Sequence, residues 1–219
     1  MVGQQNHSGK GAAKLIQFIY RRRQMKAFAK RHNLLYFGSV NPRDDNYQIV
    51  RGITAGPDRK DLHYTVGTVE GRDIIVFERR AQLKGTGQKV KEYSWTIIQL
   101  DLKRSNLPHV FIDRQSQSSS FYNHVLSGMP SMQDMTDYLR SPAAAAPSPY
   151  RITANPSKYE ELIRLFTVSL VDYLERTKHY CYEVSDDSLI VYAAGSATHA
   201  ALMGDMLTDS LRLAKLIDT

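Results

Sequence analysis

Hydrophobic and polar positions along this 219-residue chain change period several times, and the changes mark out its elements. Residues 12–32 favour a helix, because Ala, Lys, Leu, Gln, Arg and Met dominate and neither proline nor internal glycine interrupts. Its apolar positions are Leu15, Phe18, Ile19, Met25 and Phe28, broken by Arg21, Arg22 and Arg23. The helix is therefore amphipathic only in pieces. Its first half is free to dock on lipid or protein. Its second half, through Ala27, Phe28 and Ala29, is expected to pack on the rest of the chain.

A period of two follows. Residues 47–54 are rich in strand formers, and Gly56-Pro57-Asp58 marks a turn. Leu62, Tyr64, Val66 and Thr68 fall on one face of a strand that turns at Glu70-Gly71-Arg72. Residues 73–80 read as a buried strand running out into charge, and Gly85-Thr86-Gly87 turns the chain again. Residues 89–102 carry the strongest alternation. Tyr93, Trp95 and Ile97 share one face, and Ile98, Leu100 and Leu102 the other, so burial on both sides predicts a central strand. A short strand at 110–113 follows Leu107-Pro108.

Between about 114 and 149 the pattern weakens into an excursion. A polar run at 115–120 precedes two short helical pieces at 121–126 and 132–139, then a Ser/Pro/Ala-rich stretch at 141–149. A strand at 150–153 leads to Asn155-Pro156, a helix start with an N-cap Asn and proline in the first turn. Tyr159, Leu162, Ile163, Phe166, Leu170, Tyr173, Leu174 and Thr177 predict one long helix face. Residues 180–184 and 189–193 form a hairpin around 185–188, and Ser196 caps a last helix with the stripe Met203, Leu207, Leu211, Ala214 and Ile217. Strands and helices do not alternate regularly, which favours an α+β fold. The predicted architecture is an antiparallel meander sheet packed against an N-terminal helix and two C-terminal helices. Residues 1–11 read as a disordered tail, 12–33 as a basic helical arm, and 34–219 as a single domain.

Charge changes the picture. The first 33 residues hold eight Lys/Arg and no Asp or Glu, so the formal charge of +7 is +8 from this segment and −1 from the remainder. An arm built from Lys14, Arg21, Arg22, Arg23, Lys26, Lys30 and Arg31, with no acidic side chain of its own, points to a polyanionic partner. A merely solvated helix normally mixes both signs for support between successive turns.

Little else suggests chemistry. The single cysteine, Cys181, excludes an internal disulfide and a cysteine zinc site, and reads as a small buried hydrophobe. His179 lies two residues before it, with no orienting group or oxyanion site in view. Seven histidines show no close ligand spacing. Asp44-Asp45 and Asp186-Asp187 fall at turns, where Asp is favoured for local backbone bonding. Gly3 to Gly11 lacks the spacing, the hydroxyl and the preceding strand of a phosphate loop, and the glycines at 85 and 87 suit a hairpin turn. Tyr93 and Trp95 are assigned to the core rather than to a stacking platform. No catalytic, cofactor or metal residue is assigned.

In order along the chain, five stretches resemble a bacterial family of unknown function. They are the basic run into a helix and aromatic strand (residues 21–38), and Gly67, Gly71, Arg72 and Phe77 in a Gly-x-x-x-Gly-Arg-x-x-x-x-Phe hairpin. The strand at 96–102 leading to Leu107-Pro108-x-Val110, the Tyr150-x-Ile152 strand with its long helix, and the closing hairpin at 189–192 complete the set. The resemblance spans about residues 20 to 193 and implies a cytoplasmic α+β domain placed after a basic juxtamembrane run, in proteins that are often membrane-anchored. It implies no catalytic residues. The first 33 residues contain no complete span, which takes roughly 20 apolar residues. The expectation is therefore a non-enzymatic binding or adaptor domain, cytoplasmic and held peripherally at the inner membrane face by its basic helix. Nucleic-acid binding by the same arm is the second reading, and an enzyme with an unrecognised site the third.

Overall fold

In the computed structural model, the described residues are 8–39, 52–54, 59–83, 90–114, 119–139, 148–177, 180–195 and 200–219. One nine-stranded sheet organises them, and every pairing in it is antiparallel. The strands are β1 (Leu35–Gly38), β2 (Arg59–Val69), β3 (Arg72–Leu83), β4 (Lys91–Asp101), β5 (Leu107–Arg114), β6 (Gln133–Asp134), β7 (Tyr150–Ala154), β8 (Cys181–Asp186) and β9 (Ser188–Ala194). Six α-helices accompany them: α1 (Ser8–Arg31), α2 (Ser119–Ser127), α3 (Thr136–Leu139), α4 (Tyr159–Leu165), α5 (Val168–Arg176) and α6 (Ala200–Ile217). The fold is α+β, as the periodicity predicts.

Strand order corrects the simple meander. β1 to β4 lie side by side in sequence order, but β9 and β8 come next, and β5, β7 and β6 follow. The C-terminal hairpin is thus wedged between β4 and β5. Its turn is Asp186-Asp187, with Asp186 at φ 59°, and Asp186 Oδ1 accepts from the Asn106 amide at 2.9 Å. The aspartates act as turn residues, as expected from the sequence.

The two faces of the sheet bury different chemistry. On one face Val76, Ile98, Leu100, Val110, Ile112 and Val191 meet α1, α4, α5 and α6 in an aliphatic core. On the other, Phe77, Trp95, Ile97, Phe111, Cys181 and Tyr192 form an aromatic core closed by Phe121 and Tyr122 of α2. Trp95 is fully buried, its ring 4.6 Å from that of Phe121 in an edge-on packing. It is a core residue on a central strand.

Several element boundaries differ from expectation. α1 begins at Ser8, within the tail expected to end at residue 11. Residues 52–54 form a bend and turn rather than the end of a strand, because the Glu183 carboxylate accepts the Ile53 amide at 2.7 Å and Arg79 donates to the Thr54 hydroxyl at 3.1 Å. The helix expected after Asn155 is split. Asn155 does cap the opening, accepting from the Ser157 amide, but that opening is a short 3-10 turn. α4 ends at Leu165 with Phe166 as its C-cap, and Thr167 starts α5, its hydroxyl accepting from the Leu170 amide at 3.3 Å. The break rotates the buried face to Leu162, Leu165, Leu170 and Leu174 and leaves Tyr159 and Ile163 exposed. In α6 the predicted stripe is buried as read. Asp44-Asp45, the glycine turn at 85–87, the 141–147 stretch, His179 and Ser196 lie outside the described residues.

Candidate functional site

The corner formed by α1, β1 and the start of β2 collects the features that suit binding. It begins with how α1 is held. From Arg21 onward one side of the helix is buried: Met25, Phe28 and Ala29 enter the aliphatic core, and Arg21 itself is only 7% exposed. Arg21 Nη1 lies 2.5 Å from Glu78 Oε2, and the other oxygen of Glu78 accepts from Arg80. Burying a carboxylate in a strand costs several kcal/mol unless a cation and hydrogen bonds meet it. Arg21 therefore leaves the set of docking residues. Its charge is used inside the fold, because Glu78 projects from β3 directly beneath the helix.

The other cations stay outside. Arg22, Arg23, Lys26, Lys30 and Arg31 are exposed. At 100° per residue, Arg22, Lys26, Lys30 and Arg23 fall within one stripe on the side away from the sheet. No carboxylate among the described residues pairs with Arg23, Lys26, Lys30 or Arg31. The side chain of Lys14 lies outside the described residues. Beyond the stripe, α1 projects past the sheet. Leu15, Ile16, Phe18, Ile19 and Tyr20 are 40–67% exposed, and Leu35 and Phe37 on β1 are exposed beside them. Over residues 15–20 the helix is not two-faced, since apolar side chains occupy most of its circumference there. It is an apolar segment behind which a basic collar follows.

A β-bulge shapes the floor of this corner. Leu62 pairs with Glu78 and Thr65 with Val76, so His63 and Tyr64 together oppose Phe77. The extra residue throws Leu62 and Tyr64 onto opposite faces, where simple alternation would put them on one. It also holds His63 in the left-handed region, at φ 58°. His63 is buried, with its ring 5.0 Å from that of Phe18. Its Nδ1 lies 2.9 Å from the Tyr36 hydroxyl, and the Arg22 guanidinium is a hydrogen-bond neighbour of that same hydroxyl. A guanidinium only donates. The Tyr36 oxygen thus faces Arg22 as an acceptor and shares one proton with Nδ1, donated from either side according to the imidazole tautomer. Nε2 is buried and has no partner among the described residues. An unmet buried donor or acceptor costs about 1–3 kcal/mol. Burial lowers the His63 pKa, opposed by the Glu78 charge and helped by Arg21, Arg80 and Arg22. The ring is accordingly neutral near pH 7.

His63, Tyr36, Phe18, Phe37, Leu62 and Arg22 wall a cavity of about 230 Å³ at this corner. Lys26 reaches over the Tyr36 ring at 5.6 Å. A larger open groove of about 760 Å³ runs past the start of β5 and the segment after α2. Several of its polar residues are already engaged: His109 Nε2 is 2.6 Å from Glu183, Lys158 pairs with Glu161 at 2.7 Å, and Asp186 holds the Asn106 amide.

The overall fold has a structural parallel. Over 89% of this chain and 93% of the other, it is similar to the crystal structure of the mycobacterial trehalose monomycolate transport factor A, TtfA, with a TM-score of 0.57. Sequence identity is 14%. The likeness is one of fold alone. No protein-family model matches the chain, and no curated protein is similar to it.

Sequence reasoning singled out α1 but gave no part to Glu78, Tyr36 or His63. Glu78 leaves a signal, a carboxylate directly after the apolar run 74–77, which calls for a buried cation. Nothing in the alternation around 62–66 announces the bulge that positions His63. Among the described residues no group of His, Cys, Asp and Glu is arranged to hold a metal ion.

Proposed function

We propose that this chain is a non-enzymatic binding domain that docks reversibly on an anionic membrane surface through α1, at the cytoplasmic face. The observation that carries the reading is the sequence of exposures along one helix: an apolar segment from Leu15 to Tyr20, then an exposed basic stripe. Fully burying a Leu, Ile or Phe side chain contributes about 1.5–3 kcal/mol. Each Lys or Arg near an anionic leaflet adds about 1 kcal/mol. Partial insertion of the apolar segment with four or five cations at the headgroups is enough for reversible binding. No helix among the described residues is long and apolar enough to cross a membrane, so α1 would dock and not span. The TtfA name, a trehalose monomycolate transport factor, is in keeping with this reading without carrying it.

Nucleic acid fits the same cations but leaves the apolar segment without a use, because phosphate contacts are made by cations and polar groups. Trp95 is sealed in the aromatic core and offers no stacking surface.

Co-sedimentation with phosphatidylglycerol vesicles tests the proposal. The intact chain should bind at low salt and be released as ionic strength rises, since exposed charges are screened within about 10 Å at 0.1 M. Leu15→Asp with Ile19→Asp, and separately Arg23→Glu with Lys26→Glu, should each abolish most binding. Point variants are the right tool, because removing all of α1 would strip Glu78 of Arg21. Binding that is equal on phosphatidylcholine vesicles and indifferent to both double variants would refute the proposal.

A further inference from the structure

On the aromatic face of the sheet, residues 52–54 lie as a strap over two buried ionic groups. One anchor is Arg79, which is fully buried, holds both oxygens of Asp61 at 2.8 and 2.7 Å and donates to the Thr54 hydroxyl at 3.1 Å. The other anchor is Glu183. Its Oε2 accepts from the Ile53 amide at 2.7 Å and from the Tyr192 hydroxyl, and its Oε1 lies 2.6 Å from His109 Nε2. The strap is closely seated. Gly52 is at φ 117°, and a Cβ there would collide with the Tyr192 hydroxyl and stand 3.2 Å from Glu183 Oε2. Ile53 is buried among the residues of the aromatic core.

The two anchors differ in one respect. Arg79 carries a fixed charge, whereas the charge on His109 can change. A carboxylate only accepts, so the proton between the pair sits on Nε2, and Nδ1 is the site that fills or empties. The His109 side chain is 35% exposed and lines the open groove, so it exchanges protons with solvent directly. Charged, the ring neutralises Glu183 at hydrogen-bond distance. Neutral, it leaves Glu183 with its hydrogen bonds and no counter-charge, because Arg79 is committed to Asp61, which also has Arg59 at 3.8 Å. The charged residues of the groove offer no substitute: Lys158 pairs with Glu161, and Asp186 is an anion. A buried charge left without its partner is costly until water reaches it.

We propose that the strap is a proton-operated latch: protonated His109 keeps it closed through Glu183, and loss of that proton frees Ile53 from the carboxylate while Thr54 stays tethered to Arg79. The latch does not depend on the membrane-docking reading. The hydrogen bond to Glu183 raises the His109 pKa above 6.5, against a burial effect that lowers it. A group whose pKa is raised in the closed state supports that state fully below 6.5 and loses its hold as pH rises through the raised value. The latch therefore opens on the alkaline side. Opening hydrates Glu183 and Tyr192 and uncovers the aromatic core where Ile53 had sealed it.

Amide hydrogen exchange of the intact chain, followed by NMR and expressed as the protection factor of Ile53, measures the latch, with the His109 ring titrated in the same samples. Between about pH 6 and about pH 9 the protection should fall at least about threefold. The fall should not exceed about tenfold for each unit by which the His109 pKa lies above 6.5. His109→Gln, which keeps a donor and never charges, should abolish the pH dependence and leave Ile53 at the parent's alkaline level. Gly52→Ala should lower the protection at every pH by wedging the strap off Tyr192. Urea unfolding supplies the global stability, and Ile53 should exchange through an opening of lower free energy than that. Protection constant within about twofold over this range, or set by global unfolding alone, would overturn the latch. So would a pH dependence that survives in His109→Gln, and full protection of Ile53 in Gly52→Ala would overturn the seating of the strap on which it depends.

Discussion

Arg21 of α1 and Glu78 of β3 stand 57 residues apart in sequence and 2.5 Å apart in space, both nearly sealed from solvent. This one contact divides the basic arm into a structural half and an exposed half.

Breaking it from the cation's side leaves a buried carboxylate with Arg80 as its remaining partner. Arg21→Gln should cost about 3–5 kcal/mol, the usual penalty for orphaning a buried charge. Arg23→Glu with Lys26→Glu should stay within about 0.5 kcal/mol of the parent, as surface changes do. Urea unfolding of the two variants checks this directly. Equal stability of both would mean that α1 is not anchored through Arg21.

Trp95 is the keystone of the aromatic face, with Tyr93, Phe121 and Tyr122 around its ring. Trp95→Ala should cost about 3–5 kcal/mol. Loss of less than about 1 kcal/mol in a denaturant melt would show that α2 does not close this core.

Gly67 allows α1 to turn back onto β2. A Cβ there would lie 2.7 Å from Leu34 Cδ2 and 3.4 Å from Leu34 Cα. Leu34 is buried and has little room to yield. Gly67→Val should therefore cost about 1–3 kcal/mol through overpacking, and Gly67→Ala less. Thermal melts of the pair would rank them in that order. The same small residue appears in the Gly-x-x-x-Gly-Arg pattern, where sequence offers no reason for it.

Two histidines should titrate on opposite sides of the ordinary value of 6.5. The hydrogen bond to Glu183 raises His109, against a burial effect that lowers it, and burial lowers His63. The native state holds the His109 proton more tightly than the unfolded chain does. Its contribution to stability is thus complete below pH 6.5 and disappears as pH rises through its raised folded value. For His63 the unfolded chain takes the proton first, so stability falls as pH drops from 6.5 toward its lowered folded value. Ring titrations followed by NMR should place His109 above 6.5 and His63 below it, and Glu183→Gln should return His109 toward 6.5. A His63 inflection above 6.5 would contradict the burial of its ring.

Local pattern carried the reading of the fold as far as local pattern reaches. The stripe of α6 and the two faces of β4 were legible because their partners, whatever they are, demand apolar side chains at a fixed period. The split between α4 and α5 was not, since Leu162, Phe166 and Leu170 keep helical spacing across the non-helical backbone of Phe166 and Thr167. Of the candidate site, Arg22, Arg23, Lys26 and Lys30 were legible as charge without acidic neighbours. Arg21 was misread because its partner is remote, and His63 was invisible because a bulge obeys pairing geometry and leaves no mark in composition.

The wedging of the β8–β9 hairpin between β4 and β5 dictates how the molecule can be made. While the ribosome has delivered only the first 114 residues, β4 and β5 have no shared neighbour, and each exposes a long apolar edge. The sheet closes only after residue 194 has emerged, by insertion of the last hairpin into a waiting gap. Pairing of this remote kind is slow, and its unpaired edges invite association with other chains in the interval. A chain shortened before β8 would lose more than its end: it would be left as two unjoined sheets, β1 to β4 and β5 to β7.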